Sequence, residues 1–227
     1  MNRYFVTGTD TDAGKTLVAA ALLARAKERG RRTLGLKPVA SGCEMTPDGL
    51  RNRDALMLQR QSEPAVSYAQ VNPYAFEPAI APHLAAARAG NVPDLETLVS
   101  LMAQALAAGR DLTLIEGAGG WRVPLNETQD LADLARALDL PVILVVGVRL
   151  GCISHARLTQ EAVRADGLYL AGWVANQVDA NFNGHEGTLD TLAAWLDAPC
   201  LGIVPWLGQH ATPERAAAYL RLPKDLD

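Results

Sequence analysis

Gly8-Thr9-Asp10-Thr11-Asp12-Ala13-Gly14-Lys15-Thr16 is the stretch that decides the fold. It follows a short apolar run, Arg3 to Thr7, and leads directly into an alanine-rich segment with helical spacing from about Lys15 to Arg29. A strand that passes through a glycine-bounded turn into a helix start makes an anion cradle. Amides of the turn and of the first helical residues point at phosphate oxygens, and the helix dipole favours negative charge there. The usual spacing has four residues between the two glycines, whereas here there are five, Thr9 to Ala13. The mechanics survive the insertion. Gly14 lets the backbone approach closely, Lys15 reaches the terminal phosphates, and the Thr16 hydroxyl can ligate Mg²⁺.

Outward from this loop, apolar runs alternate with helical patterns to the end of the chain. Strands are expected at Arg3 to Thr7, Thr33 to Lys37, Asp111 to Glu116, Pro141 to Val146, Leu168 to Ala175 and Cys200 to Val204. Helices are expected near Lys15 to Arg29, Pro93 to Ala108, Asp130 to Leu138, Ile153 to Ala165 and His185 to Leu196. The strand runs show no period of two, as in VILVV from Val142. That pattern predicts an α/β fold: a doubly wound, mostly parallel sheet with helices on both faces, in one phosphate-loop domain spanning residues 1–227. Pro38 to Asn91 fits least well. Beyond Pro38 it holds five more prolines and only short helical pieces, around Asp54 to Gln61 and His83 to Ala89, and reads as a binding excursion or a plain surface loop.

Composition bounds the partners. The chain has 227 residues, is 49% hydrophobic and carries a formal net charge of -4, with no basic stripe to follow a phosphate backbone, so nucleic acid is not an expected partner. The longest apolar run, Leu140 to Val148, is nine residues and too short to span a bilayer. With no secretory pattern at the amino terminus, a cytoplasmic protein is expected. Cys43, Cys152 and Cys200 are too scattered for a zinc knuckle or a disulfide framework. Only 4 of the 21 cations are lysines, and where Lys persists a compact ammonium is the expected requirement. Lys15 and Lys37 are the two to watch, while Lys27 and Lys224 read as solvated charge.

Two further elements carry chemistry. Glu116 ends the apolar run Leu112-Thr-Leu-Ile and is followed by Gly117-Ala118-Gly119-Gly120, placing a carboxylate where a metal-organising acid is expected. Asp54, at the front of a short helical piece, is either a second metal ligand or a helix-start acid. Asn176, after Leu170-Ala-Gly-Trp-Val-Ala175, offers an amide donor and acceptor to adenine, although Asn176-Gln177-Val-Asp179 also echoes a guanine-reading motif with Gln177 in place of its lysine.

Together GTDTDAGKT, LGLKPVASG, LIEGAGGW, PVILVVGVRLGC, LAGWVANQV and GIVPWLG resemble the dethiobiotin synthetase family, in order and over nearly the whole chain. The resemblance implies an ATP- and Mg²⁺-dependent cyclo-ligase of biotin biosynthesis. Such an enzyme joins carbon dioxide to 7,8-diaminopelargonate, through a carbamate and a carbamic-phosphoric anhydride, to give dethiobiotin, ADP and phosphate. It implies Lys15 and Lys37 as catalytic cations and Thr16, Asp54 and Glu116 as metal ligands. Asp12 to Leu17, Gly117, Ala118, Gly119, Asn176, Gln177, Pro205, Trp206 and Leu207 are implied around the nucleotide, and Thr11, Lys37 and Ser41 at the diamine. It also implies a homodimer in which Gly151, Cys152, Ile153 and Ser154 receive the substrate carboxylate from the partner chain. This sequence departs from the family pattern at Asp12, where Glu is common, at Ser154, where Asn is common, and near Thr188, where an aromatic hydroxyl often stands. Two rival readings are another carboxylate-activating ligase on the same fold and a nucleotide-switched regulatory ATPase of the partitioning type. The latter carries a signature lysine where this chain has Asp10.

Overall fold

A computed structural model describes residues 2–223; Lys224 lies outside the described residues. The strands are β1 (Asn2–Gly8), β2 (Thr33–Leu36), β3 (Val39–Ala40), β4 (Glu44–Thr46), β5 (Gly49–Arg51), β6 (Tyr74–Ala75), β7 (Leu112–Glu116), β8 (Val142–Val148), β9 (Leu170–Gln177) and β10 (Cys200–Val204). The α-helices are α1 (Lys15–Glu28), α2 (Arg53–Arg60), α3 (Tyr68–Val71), α4 (Pro82–Ala89), α5 (Leu95–Ala107), α6 (Leu131–Ala137), α7 (Cys152–Ala165), α8 (His185–Trp195) and α9 (Pro213–Ala217).

Six strands form one sheet in the order β10-β9-β8-β1-β7-β2, every neighbouring pair parallel. The unbroken apolar strands follow from burial on both faces. Phe5, Ile115, Leu144 and Trp173 face a core shared with α4 to α8, while Val6, Leu114, Val145 and Val174 face one shared with α1 and α9. α1 lies so close to the sheet that Val18 to Ala24 are all buried, which is why this helix is written in alanine and leucine with no polar stripe. At Gly35 a Cβ would stand 2.7 Å from Leu23 Cδ1 and 2.9 Å from Leu58 Cβ, so only glycine lets α1 and α2 seat on β2 together.

Register aligns the carboxyl ends where the site is built. Val6 pairs with Glu116, Gly8 with Val145 and Val204 with Asn176. Several expected boundaries are corrected. β2 stops at Leu36, so Lys37 stands just beyond the ladder, its N–H donating instead to Val71 O at 2.8 Å. β9 begins at Leu170 and runs on to Gln177, which puts Asn176 inside the strand. Asp130 and Asp94 are N-caps rather than helical residues, accepting from the backbone N–H of Asp133 and Thr97.

Pro38 to Asn91 is more ordered than expected. β3 pairs with β6, β4 with β5, and α2, α3 and α4 occupy the stretches between and after them. Strands of two or three residues show no alternation, so the sequence gives no sign of them. α9 was likewise not expected from the sequence. The three cysteines are free, Cys43 and Cys152 buried and Cys200 half-buried, and among the described residues no helix is long and apolar enough to cross a membrane.

Candidate functional site

The loop after β1 is shaped by two residues in left-handed conformation, Asp12 (φ 61°) and Gly14 (φ 85°). Gly14 is the N-cap of α1. No side chain caps the helix and its first turn has no acid, so its leading N–H groups remain open to an anion. Lys15 folds back over the loop, Nζ donating to Asp10 O at 3.0 Å. Burial lowers the Lys15 pKa and nearby Lys37 adds to the effect, against the opposing pull of Glu116. From β9, Asn176 Nδ2 donates to Ala13 O at 3.0 Å and pins the loop from the other side.

Next to the loop, β7 delivers Glu116, only 1% exposed, between β1 and β2. Its Oε1 accepts from Thr16 Oγ1 at 2.8 Å and from Lys37 Nζ at 2.6 Å. Lys37 Nζ also lies 3.4 Å from Asp54 Oδ2 and 3.5 Å from Gly117 O. Burial works against the Lys37 ammonium, but Glu116 and Asp54 together outweigh it and raise its pKa. Asp54 reaches the site because Asn52 caps α2 and sets the helix start beside Lys37.

Oε2 of Glu116 is buried without a hydrogen-bond partner. A buried carboxylate oxygen left open beside a hydroxyl and a second carboxylate fits a hard cation that keeps water and phosphate oxygens in its remaining positions. Thr16, Glu116 and Asp54 therefore fit Mg²⁺. Among the described residues no group of three or more His, Cys, Asp or Glu side chains suits a metal held by protein alone.

The nucleotide candidates separate into two ends. Leu17, Asn176, Gln177, Pro205, Trp206 and Leu207 line a cleft of about 180 Å³ that also touches Asp12. The Gln177 amide has partners within the chain: Oε1 accepts from Trp206 N at 3.0 Å, which holds the Pro205–Leu207 wall, and Nε2 lies 3.4 Å from His185 Nδ1. A larger hollow of about 280 Å³ between β2, α3 and α5 contains none of the candidate residues. Its lining is mostly apolar, its one cation Arg110 donates to Pro64 O at 2.9 Å, and it shares no residue with the phosphate loop, so its size does not make it the site.

Gly117 donates to Val6 O at 3.0 Å, and a Cβ there would stand 3.0 Å from the Phe5 ring, which keeps the turn after β7 close to the sheet. Ala118 packs on the core, and a Cβ at Gly119 would stand 3.7 Å from Thr11 Oγ1, so Thr11 borders this turn. Ser41 is half-buried, its carbonyl held by Asn52 Nδ2 at 3.2 Å.

Gly151, Cys152, Ile153 and Ser154 are not brought to Lys37 within one chain. They form the first turn of α7, with Gly151 and Ser154 exposed and Ile153 against the core. Cys152 is 2% exposed, and its backbone N–H donates to Arg149 O at 3.1 Å. Thr188 is buried in α8 at 8% exposure, away from any open surface. Sequence reasoning missed the pair that ties the two loops together, Arg149 Nη2 to Asp10 Oδ2 at 2.6 Å. Residues 139 apart carry no local signal of that pairing. Asn52 was findable, since an Asn two residues before Asp54 is an N-cap pattern.

Comparison with known proteins agrees with this geometry. A family model described as an AAA domain matches residues 2–214. The ATP-dependent dethiobiotin synthetase BioD of Chromohalobacter salexigens is 63% identical over 237 aligned positions, covering 99% of this chain and all of its own length. That of a Pseudomonas aeruginosa strain is 58% identical, with 98% and 97% covered. Among solved structures, the MinC:MinD cell division protein complex of Aquifex aeolicus gives a TM-score of 0.60 at 16% identity, covering 98% of this chain and 87% of the other. The cell division ATPase MinD of Pyrococcus furiosus gives 0.59 at 17%, covering 96% and 98%. At such identities the structural likeness establishes the phosphate-loop fold alone.

Proposed function

The chain belongs to the ATP-dependent dethiobiotin synthetase family, and from that premise we propose that it closes the cyclic urea of dethiobiotin from 7,8-diaminopelargonate, carbon dioxide and ATP as a single phosphate-loop ligase domain. One observation carries the assignment of roles. A buried ammonium, Lys37, sits 2.6 Å from Glu116 and 3.4 Å from Asp54, beside the Thr16 hydroxyl of the phosphate loop.

In this reading one amine of the substrate captures carbon dioxide as a carbamate, releasing a proton. A carbamate oxygen attacks the γ-phosphorus of ATP, the bond to the β,γ-bridging oxygen breaks, and ADP leaves. The second amine then attacks the anhydride carbonyl, loses a proton, closes the ring and expels phosphate. Phosphoryl transfer needs alignment and charge neutralisation more than covalent help. Lys15 and the open N–H groups of α1 hold the terminal phosphates, and Lys37 faces the γ-phosphate and the carbamate oxygen. Thr16, Glu116 and Asp54 would hold Mg²⁺, which supplies charge neutralisation on the phosphates. Thr11 and Ser41 orient the diamine end, so ring closure is effectively intramolecular. Asn176 and the Pro205–Leu207 wall take the adenine.

A homodimer completes the site, the first turn of α7 receiving the substrate carboxylate across the interface. Exposure of Leu150 (90%) and Leu158 (60%) on that side supports a covered surface there. Free cysteines suit the reducing cytoplasm.

The test is phosphate release from ATP with and without diaminopelargonate and bicarbonate. Release is expected only with both, and from ATP in preference to GTP. Equal release with ATP alone would favour a regulatory ATPase, and a GTP preference would overturn the adenine assignment.

A further inference from the structure

Lys37, Ser41 and Asp54 come from three different segments, and all three are tied to one hydrogen-bond network built on two buried asparagines and the half-buried Tyr68. Asn72, 3% exposed, donates from Nδ2 to Lys37 O at 2.7 Å and to Tyr74 O at 3.1 Å. Its Oδ1 accepts from Tyr68 Oη at 2.9 Å. The same hydroxyl accepts the backbone N–H of Asn52 at 2.8 Å. Asn52, 7% exposed, then divides its amide: Nδ2 donates to Ser41 O at 3.2 Å, and Oδ1 accepts from Asp54 N at 3.0 Å and Ala55 N at 3.2 Å. Both asparagine amides are thus engaged through nitrogen and oxygen alike, and the Arg51 guanidinium covers the Tyr68 ring 4.3 Å from its centroid.

We infer that Asn52, Tyr68 and Asn72 are positioning residues that set the distance of Lys37 from Asp54 and Ser41, and so the geometry of phosphoryl transfer to the substrate. β2 has already ended at Leu36, so the sheet ladder does not hold Lys37. What fixes its backbone is the N–H to Val71 O bond and the Asn72 amide on its carbonyl, both supplied by the α3 segment. Ser41 and Asp54 flank a segment of short strands with few neighbours to fix it, and their spacing passes through Asn52. A network anchored on two buried amides favours one arrangement, because displacing either amide strands its polar groups away from water. None of the three side chains is within hydrogen-bond reach of the phosphate loop, so nucleotide binding is separable from the effect.

The inference rests on the roles proposed above for Lys37, Asp54 and Ser41. Tyr68→Phe keeps the ring and its place under Arg51 while removing only the hydroxyl; Asn72→Ala removes the grip on Lys37 O. Steady-state turnover and direct ATP binding would be measured for both, beside the parent and Lys37→Ala. The expected result is a fall in kcat of about 10-fold for Tyr68→Phe and about 100-fold for Asn72→Ala, the latter the scale of a misplacement near 1 Å. ATP affinity should stay within about 2-fold of the parent in both, which a general loss of folding would not allow. Combining the two changes should cost less than the product of the separate effects, since they break one network. If Lys37→Ala is inactive while Tyr68→Phe turns over like the parent, the positioning role falls and the assignment of Lys37 stands. If Lys37→Ala retains turnover, the assignment of Lys37 falls and the positioning role falls with it. Loss of ATP affinity in step with kcat in Tyr68→Phe also overturns the inference, because the effect is then structural.

Discussion

Gly14→Ala tests the phosphate loop at the point where its geometry is most exacting. An L-residue there must hold φ near 85°, which costs about 1–2 kcal/mol. Its Cβ would stand 2.1 Å from Asn176 Nδ2, far inside contact, so the amide must move and its 3.0 Å bond to Ala13 O is lost. Breaking that bond adds about 1 kcal/mol, for a total of about 2–3 kcal/mol. Urea unfolding by linear extrapolation measures the stability, and ATP titration measures how much of the strain falls on the binding conformation. Asn176→Ala separates the two contributions. In that background the clash has no partner, so Gly14→Ala should cost about 1 kcal/mol less while the backbone strain remains. Parental stability and ATP affinity in Gly14→Ala would refute the strain argument. An identical cost in both backgrounds would refute the role given to the Asn176 amide.

Lys37→Arg should bind ATP yet lose about 100-fold or more in turnover, because a pocket fitted to an ammonium 2.6 Å from Glu116 does not admit a planar fork; near-parental turnover would reduce Lys37 to a generic cation. Glu116→Gln should raise the Mg²⁺ concentration needed for half-maximal turnover and leave diamine binding unchanged, and an unshifted Mg²⁺ titration would remove Glu116 from the ligand set. Lys37→Met should cost about 3 kcal/mol near neutral pH, since it leaves buried Glu116 without its cation. The folded-state pKa of Lys37 lies above its ordinary 10.5, so the stabilisation is complete below 10.5 and disappears as pH rises through the folded value. Melts of the parent and Lys37→Met should therefore converge on the alkaline side and stay apart from neutral pH to about pH 9; a constant difference would contradict the ion pair.

Most of the sheet and the phosphate half of the site were legible because local pattern and tertiary role coincide there. Gly14-Lys15-Thr16 reads as a helix start and is one, and a carboxylate after Leu112–Ile115 can only emerge at the strand's carboxyl end. Lys37 stood out because an ammonium closing an apolar strand needs partners, which Glu116 and Asp54 supply. Legibility failed where structure depends on distant residues. The pairing of β3 with β6 joins Val39 to Tyr74 through two residues a side, too few to show a period. Gln177 meets Trp206 and His185 through its amide, partners no local pattern announces. The turn of Gly151 to Ser154 carries no pattern of its own beyond a helix start, so a role for it rests on the homodimer proposed above.

The strand order makes the sheet edge a ruler. Asn176 leaves from β9 and Glu116 from β7, with β8 and β1 between them. Three strand spacings separate the two, about 14 Å. A nucleotide laid across those ends must be long enough to touch both. In the orientation proposed above, transfer of the γ-phosphoryl group would shorten the nucleotide only at the β7 side and leave its contacts near β9 unchanged.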